Sequence, residues 1–388
     1  MNILFFYTEG INPQRGGVQR VTNSLADYFC EQGNLVYFLG QHKDYSLVDD
    51  RQLYLPNEEK LMAFENKLFF KECLVRKKIE VVINQGAFLS ESAEFSYLAK
   101  ECNVKIISVV HNSLISTVVN LKDIYRTTAK RLHLECLLPL FDLNISKMIL
   151  LNIFKFKKKK HYTKLIDNSD VLVLLSDSFK GELTLLTDRV ELNNVIVIAN
   201  PTKIVEYKCD KKKEILYVGR INTTQKRVDV LIDIWNRICR NFPDWKLIIV
   251  GEGDELDILK RQAKQLGIDN ISFTGRQNPI PYYERASIFC LTSSFEGLPM
   301  TLIESLNYGV VPIIFNSFAA ASDVVEDYWN GRLINSFSID DYVSALITMM
   351  TSPDKMAKWR KHALESAKKY DINLIGSQWL SVLANNIV

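Results

Sequence analysis

The 388-residue chain has no Cys-x-x-Cys pair. Its seven cysteines (Cys30, Cys73, Cys102, Cys136, Cys209, Cys239, Cys290) lie 29 or more residues apart. That excludes a zinc ribbon or a thioredoxin-type motif. Scattered thiols of odd number read as reduced cysteines of a cytoplasmic protein. There is no Asp-x-Asp triplet to seat a metal ion, and no metal is expected. No clean apolar run reaches the roughly 20 residues that a membrane-spanning helix needs. The longest stretch, 134–156, is interrupted by Glu135, Asp142 and Lys147. Residues 1–7 lack a basic leader and run into Glu9, so they read as a first strand rather than a signal peptide. Large net charge is also missing: 48 Lys and Arg face 45 Asp and Glu, a net of +3. That argues against nucleic-acid binding by bulk charge. No glycine occurs between Gly86 and Gly181, which marks that stretch as helix-rich.

What is present is an ordinary globular composition, 47% hydrophobic and 24% charged, which excludes a disordered, collagen-like or coiled-coil chain. The length suits two or three domains. Short Val/Ile/Leu runs at 2–8, 34–39, 79–84, 104–110, 170–175 and 194–198 form one strand series. A second series follows at 214–218, 245–250, 270–274, 286–291 and 311–315. Amphipathic helical patterns fit between most of them, for example at 18–32, 90–102, 226–241, 253–266 and 299–308. Such alternation predicts buried parallel sheets, and two series predict two doubly wound α/β domains. Asn200-Pro201 and the polar stretch 208–213 separate them. The expected division is 1–205, 206–365 and a helical tail over 366–388 that returns to the first domain. One charge feature is local. Residues 122–164 hold eleven Lys/Arg and three acids, an excess of +8 that leaves −5 for the rest of the chain.

Ligands of doubly wound domains bind beyond the carboxyl ends of the strands, so those positions carry the functional candidates. After 2–8 comes Gly16-Gly17 before a helix, where backbone N–H groups can approach a phosphate or a sugar; a plain flexible turn reads the same. After 104–110 stands His111, one of five histidines. After 214–218 come Gly219, Arg220, Lys226 and Arg227 before a helix, an anion cradle or a solvated basic loop with no acid nearby in sequence. Gly251-Glu252-Gly253 begins like a dinucleotide fingerprint, but Leu256 stands where the third glycine belongs, so NAD is not indicated. Gly275-Arg276 follows 270–274 as a candidate base contact. The richest stretch runs from Ser293 to Gly309. Glu296 lies before a helix started by Pro299, and Glu304 lies roughly 8 Å further along its axis. That helix is otherwise apolar, and a buried unpaired Glu is costly, which favours ligand-holding roles.

Together these residues resemble the retaining glycosyltransferases of family 4. The resemblance rests on Gly16-Gly17-Val18, Val218-Gly219-Arg220 with Lys226, Val250-Gly251-Glu252-Gly253, and Glu296-Gly297-Leu298-Pro299 through Glu304 with Gly309 and Pro312. It is strongest over 214–335. It implies the GT-B fold, two Rossmann-like domains facing each other across a cleft, the first for acceptor and the second for nucleotide sugar. By the same resemblance, Arg220 and Lys226, with Gly219, bind the donor diphosphate, and Glu304 holds the ribose. Glu296, with the backbone from Gly297 through Leu298 to Pro299, binds the sugar. Gly16 and Gly17 border the diphosphate and the acceptor, His111 lies beside the sugar, and Gly275-Arg276 flank the base. Relatives usually have Lys-Gly where this chain has Lys226-Arg227, so Arg227 either adds a phosphate contact or faces solvent. Asn112 stands where an acid is common.

The implied activity is metal-independent hexosyl transfer, with retention, from a nucleotide sugar (a UDP-sugar foremost) to a glycan or lipid-linked glycan in surface-polysaccharide synthesis. No cofactor is expected beyond this co-substrate, and no nucleic acid. Two other readings stay open here, a nucleotide-sugar epimerase of related architecture and a non-catalytic nucleotide-sugar-binding subunit. Residues 150–160 interleave apolar and basic side chains on an expected helix. Such a segment rests on anionic lipid at the inner face of a membrane, or is a solubilising face.

Overall fold

The computed structural model describes residues 1–141, 143–206 and 210–384. They contain two all-parallel sheets. The first comprises β1 (Asn2–Phe6), β2 (Leu35–Gly40), β3 (Gln52–Tyr54), β4 (Val81–Asn84), β5 (Lys105–Val110), β6 (Val171–Leu174) and β7 (Val195–Val197). The second comprises β8 (Glu214–Val218), β9 (Lys246–Val250), β10 (Ile271–Gly275), β11 (Ile288–Leu291), β12 (Val311–Phe315) and β13 (Arg332–Ile334). Their orders are β3-β2-β1-β4-β5-β6-β7 and β10-β9-β8-β11-β12-β13. In each sheet the order reverses beside its first strand: β1 pairs with both β2 and β4, and β8 with both β9 and β11. Both are doubly wound, as the two strand series lead one to expect. The central strands are buried on both faces, which is why their sequences are continuous rather than alternating.

Two compact units emerge. One contains Met1–Asn112, Phe154–Lys203 and the chain from Tyr370 on; the other contains Ser113–Ile153 and Ile204–Lys369. Neither is contiguous in sequence. The segment Ser113–Ile153, within the expected first domain, packs with the second unit. The reason is polar as well as apolar: buried Asn120 donates through Nδ2 to the carbonyls of Ser294 and Ser317, each at 2.6 Å. The core of the first unit is aromatic, with Phe6 stacked on Phe95 at 4.5 Å and Phe70 edge-on to Phe95 at 5.1 Å. The second unit is built around buried Tyr217, Trp235, Trp359 and Tyr342. The tail is helical over Pro353–Ala367 and Ile372–Ala384, joined by a 3-10 turn, and 385–388 lie outside the described residues.

Candidate active site

In the second sheet the order reverses between β8 and β11. Two loops that are far apart in sequence therefore leave adjacent strand ends, the position where doubly wound sheets hold ligands. The loop after β8 is shaped by Gly219 (φ +156°) and capped by Asn222, whose Oδ1 accepts from the N–H groups of Gln225 at 3.0 Å and Lys226 at 2.7 Å. Beneath it the buried Tyr217 hydroxyl donates to the Arg220 carbonyl at 2.7 Å. Helix formation waits until Val228, because these turns consume the preceding N–H groups.

The loop after β11 meets it directly. Ser294 N–H donates to the Gln225 carbonyl at 2.6 Å, and Gln225 Nε2 donates to the Phe295 carbonyl at 3.3 Å. At their junction the Lys226 ammonium pairs with Glu296 Oε1 at 2.5 Å, and Ser293 Oγ donates to the same oxygen at 2.7 Å. Glu296 is 5% exposed, so the pair and the hydroxyl supply the partners a buried carboxylate requires. This corrects the view of the basic loop as remote from acids: its counter-charge lies 70 residues away in sequence. Arg220 is exposed and makes no ion pair among the described residues.

Arg227 neither faces solvent nor stands free for a phosphate. It caps the helix Val228–Asn236 at φ +52° and is 2% exposed. Its guanidinium lies 3.5 Å from Asp123 and over the Phe337 ring. Asp229, beside it in sequence, accepts from Thr127 at 2.9 Å. Burial pushes the carboxyls of Asp123 and Asp229 upward and the guanidinium downward, with their mutual attraction opposing this. Asp123 and Thr127 belong to Ser113–Ile153, which is thereby anchored under the site. Ser113 N–H also donates to the Glu296 carbonyl at 3.3 Å.

Glu304 differs from expectation. It lies in the helix Met300–Asn307 but is half-buried, and its Oε2 accepts from the Tyr283 hydroxyl at 3.0 Å. It is therefore not an unpaired buried charge. Pro299 sits at the N-cap and has no N–H, so the backbone donors of this stretch are those of Gly297 and Leu298. Gly275 (φ +70°) ends β10, and Arg276 forms an exposed pair with Glu252 at 2.9 Å. Exposed pairs of this kind contribute little.

Gly16, Gly17 and His111 belong to the first unit. Gly16 is the N-cap of the helix Gly17–Glu31 in extended conformation, open to any residue, so its freedom is not what the turn uses. His111 is buried, and its Nε2 lies 2.5 Å from Gln85 Oε1, which sets Nε2 as the donor. Burial lowers its pKa to about 4. The unfolded chain then binds more protons between about pH 6.5 and 4. Stability is therefore complete above pH 6.5 and declines as pH falls toward 4, by about 1.4 kcal/mol per unit at most. The expected result is a melting temperature that drops across this window in the parent and less so in His111→Gln. Gln85, at the end of β4, and Tyr217, Tyr283 and Asn120 were not singled out by sequence. Gln85 Nε2 is buried without a partner, and only its place just after a strand could have marked it.

The group 1 glycosyl transferase family model matches residues 201–366, which include both loops, Arg220, Lys226, Glu296 and Glu304. A relative from Haemophilus influenzae named as an uncharacterized glycosyltransferase is 28% identical over 95% of this chain and 96% of its own. The chain is a GT-B glycosyltransferase. A pneumococcal O-GlcNAc transferase solved with UDP and GlcNAc shares the fold, with a TM-score of 0.75 and 13% identity over 100% of this glycosyltransferase and 99% of that chain. The lipopolysaccharide 1,6-galactosyltransferase of Salmonella typhimurium is 29% identical over 50% of the chain and 55% of that enzyme. Apart from the Haemophilus protein, the chain spans about half the length of curated relatives such as this one. No described helix of the glycosyltransferase is long and apolar enough to cross a membrane.

Proposed function

We propose that the glycosyltransferase is a retaining, metal-independent enzyme of family 4. It moves a hexosyl group from a nucleotide sugar, a UDP-sugar foremost, to a hydroxyl of a glycan or lipid-linked glycan in cell-surface polysaccharide synthesis. The observation that carries this reading is the Lys226–Glu296 pair, which puts a cation and a carboxylate together where β8 and β11 diverge. Arg220 and Lys226, with Gly219, would meet the diphosphate. Glu304 would hold the ribose hydroxyls, and Gly275 and Arg276 would flank the base. Glu296 and the backbone of Gly297 and Leu298, steered by Pro299, would orient the sugar. Gly16 and Gly17 would border the diphosphate and the acceptor, and His111, neutral near pH 7, would lie beside the sugar as a hydrogen-bonding group rather than a cation.

In the reaction the anomeric carbon's bond to the diphosphate oxygen breaks. The acceptor oxygen bonds the same face, and its proton passes to the departing phosphate. Negative charge grows on the diphosphate, and fixed cations are most effective where charge develops. No cofactor enters beyond the donor. Cytoplasmic location and contact with an anionic membrane surface through 122–164 belong to the same reading.

The test is a thermal-shift screen of UDP-, GDP- and ADP-sugars, because a ligand that binds only the folded state raises the melting temperature. A donor so identified should support transfer with retained anomeric configuration, and EDTA should leave the rate unchanged. Inversion, or a rate lost to EDTA and restored by metal, would refute those parts of the reading. Isomerised donor without acceptor would favour an epimerase.

A further inference from the structure

Large exposed apolar side chains concentrate in the segment around 132–156. The helix Asn144–Asn168 shows how they are arranged. Ile145, Met148, Ile149, Ile153 and Phe156 are all exposed, Phe156 to 85%. Counted from Ile145 they fall three, four, eight and eleven residues on, which places them on one stripe of the helix. The next members of that stripe are Lys159 and Lys160, flanked by Lys157. Apolar and basic side chains thus share one face and are segregated along the axis. Sequence alone reads residues 150–160 as apolar and basic side chains interleaved on a helix; along this stripe the two kinds are separated instead. Leu140, in the 3-10 helix Glu135–Phe141, and Leu143, just before the helix, are 53% and 54% exposed.

The charges at the far end have few local partners. Lys155 pairs with Asp188, as does Lys159 at 2.7 Å. Lys157 and Lys160 are exposed and make no ion pair among the described residues. The helix holds no acid before Asp167. From Ile145 to Phe156 the stripe rises about 16 Å before the lysines begin.

We infer that this helix enters an anionic lipid surface by its N-terminal end, with Ile145, Met148 and Ile149 in the acyl boundary and Lys157 and Lys160 at the lipid phosphates. The charge order selects this occupant. A second copy of the chain would set one basic collar against another, whereas an anionic bilayer offers hydrocarbon below and negative charge above. Interfacial segments bury side chains about 5–10 Å deep, so the first turns insert and the helix is inclined. The inference deepens the reading of a lipid-linked acceptor and rests on it.

Flotation of the full chain with vesicles of phosphatidylcholine alone, or mixed equally with phosphatidylglycerol, tests it. The variant Lys157→Gln/Lys160→Gln should lose about 25-fold in affinity for anionic vesicles, near fivefold per lysine. The variant Ile145→Ser/Met148→Ser/Ile149→Ser should lose at least tenfold on the same vesicles, and its residual binding should vanish in high salt. Binding of the serine variant within about twofold of the parent would overturn insertion and leave a purely electrostatic contact. A dimer of the parent that the serine variant dissolves, with vesicle binding unchanged, would overturn it in favour of self-association. Thermal shifts with UDP-sugars, run on the same variants, separate the two readings. A normal donor response with no lipid binding removes only the insertion, whereas no donor response in the parent removes the donor assignment.

Discussion

Lys226→Ala is expected to lower turnover about a thousandfold and also to destabilise the protein, whereas Arg220→Ala should lower turnover with little change in melting temperature. The activity loss follows from removing a fixed cation beside a diphosphate on which charge develops, an effect of about 3–4 kcal/mol. The difference in stability follows from burial. Removing Lys226 leaves Glu296 behind at 5% exposure, with the Ser293 hydroxyl as its side-chain partner among the described residues. Breaking a buried pair from one side costs about 3–5 kcal/mol. Arg220 is exposed and unpaired among the described residues, so its loss strands no partner. Steady-state rates and thermal melts on both variants are the measurement. Near-normal transfer by either would end the diphosphate assignment. Equal melting temperatures in all three proteins would mean that the pair is not a structural element.

A second large effect is expected from Gly251→Ala. Gly251 has φ +151°, and an added Cβ would come within 1.9 Å of the Gly219 carbonyl oxygen. The obstacle is backbone, so no side chain can swing away. The loops after β8 and β9 are also bonded, with Gly219 N–H donating to the Val250 carbonyl at 3.0 Å and Ile221 N–H to the Glu252 carbonyl at 2.8 Å. Strain at 251 must therefore displace the Gly219–Arg220 turn. The expected cost is about 3 kcal/mol, or roughly 6–12 °C for a unit of this size, with the donor KM raised about tenfold or more. Gly267→Ala is the control. It also has positive φ, at +66°, but open space around it, and should cost about 1 kcal/mol and leave the KM alone. If the two variants behave alike, steric contact between the loops is not what fixes Arg220.

The strand-end candidates lend themselves to sequence reading because buried parallel strands write their boundaries as apolar runs ending in glycine or polar turns. Each of the eleven expected strands has its counterpart from β1 to β12. β3 (Gln-Leu-Tyr) and β13 (Arg-Leu-Ile) escape such reading: like β7 they are edge strands of three residues, but they lack its unbroken Val-Ile-Val run. The site was half legible. Glu296, Glu304, Arg220 and Lys226 stand out by spacing and position, but what each touches does not. Lys226 meets a carboxylate 70 residues away, and Asn120 holds a carbonyl 174 residues away. Such distances are set by the reversal of strand order, which no local window contains. Arg227 illustrates the point: an arginine in a basic loop reads as exposed, and only the docking of Asp123 and Thr127 beside it makes it interior.

The discontinuity of the two units bears on how the chain is made and how it can be recombined. The helix Ile372–Ala384 packs on the helix Gly17–Glu31, where Gly376 lies so close to the Tyr28 ring that a Cβ would sit 2.3 Å from it. Lys105, on β5, donates to the carbonyls of Val382 at 2.7 Å and Leu383 at 3.2 Å. The first unit thus lacks this wall until residues 372–384, which follow the second unit in sequence, have been synthesised. Chimaeras with relatives face the same constraint. Exchange at a single crossover near residue 204 would separate Ser113–Ile153 and the final helix from the surfaces they complete, so a viable exchange must carry three segments together.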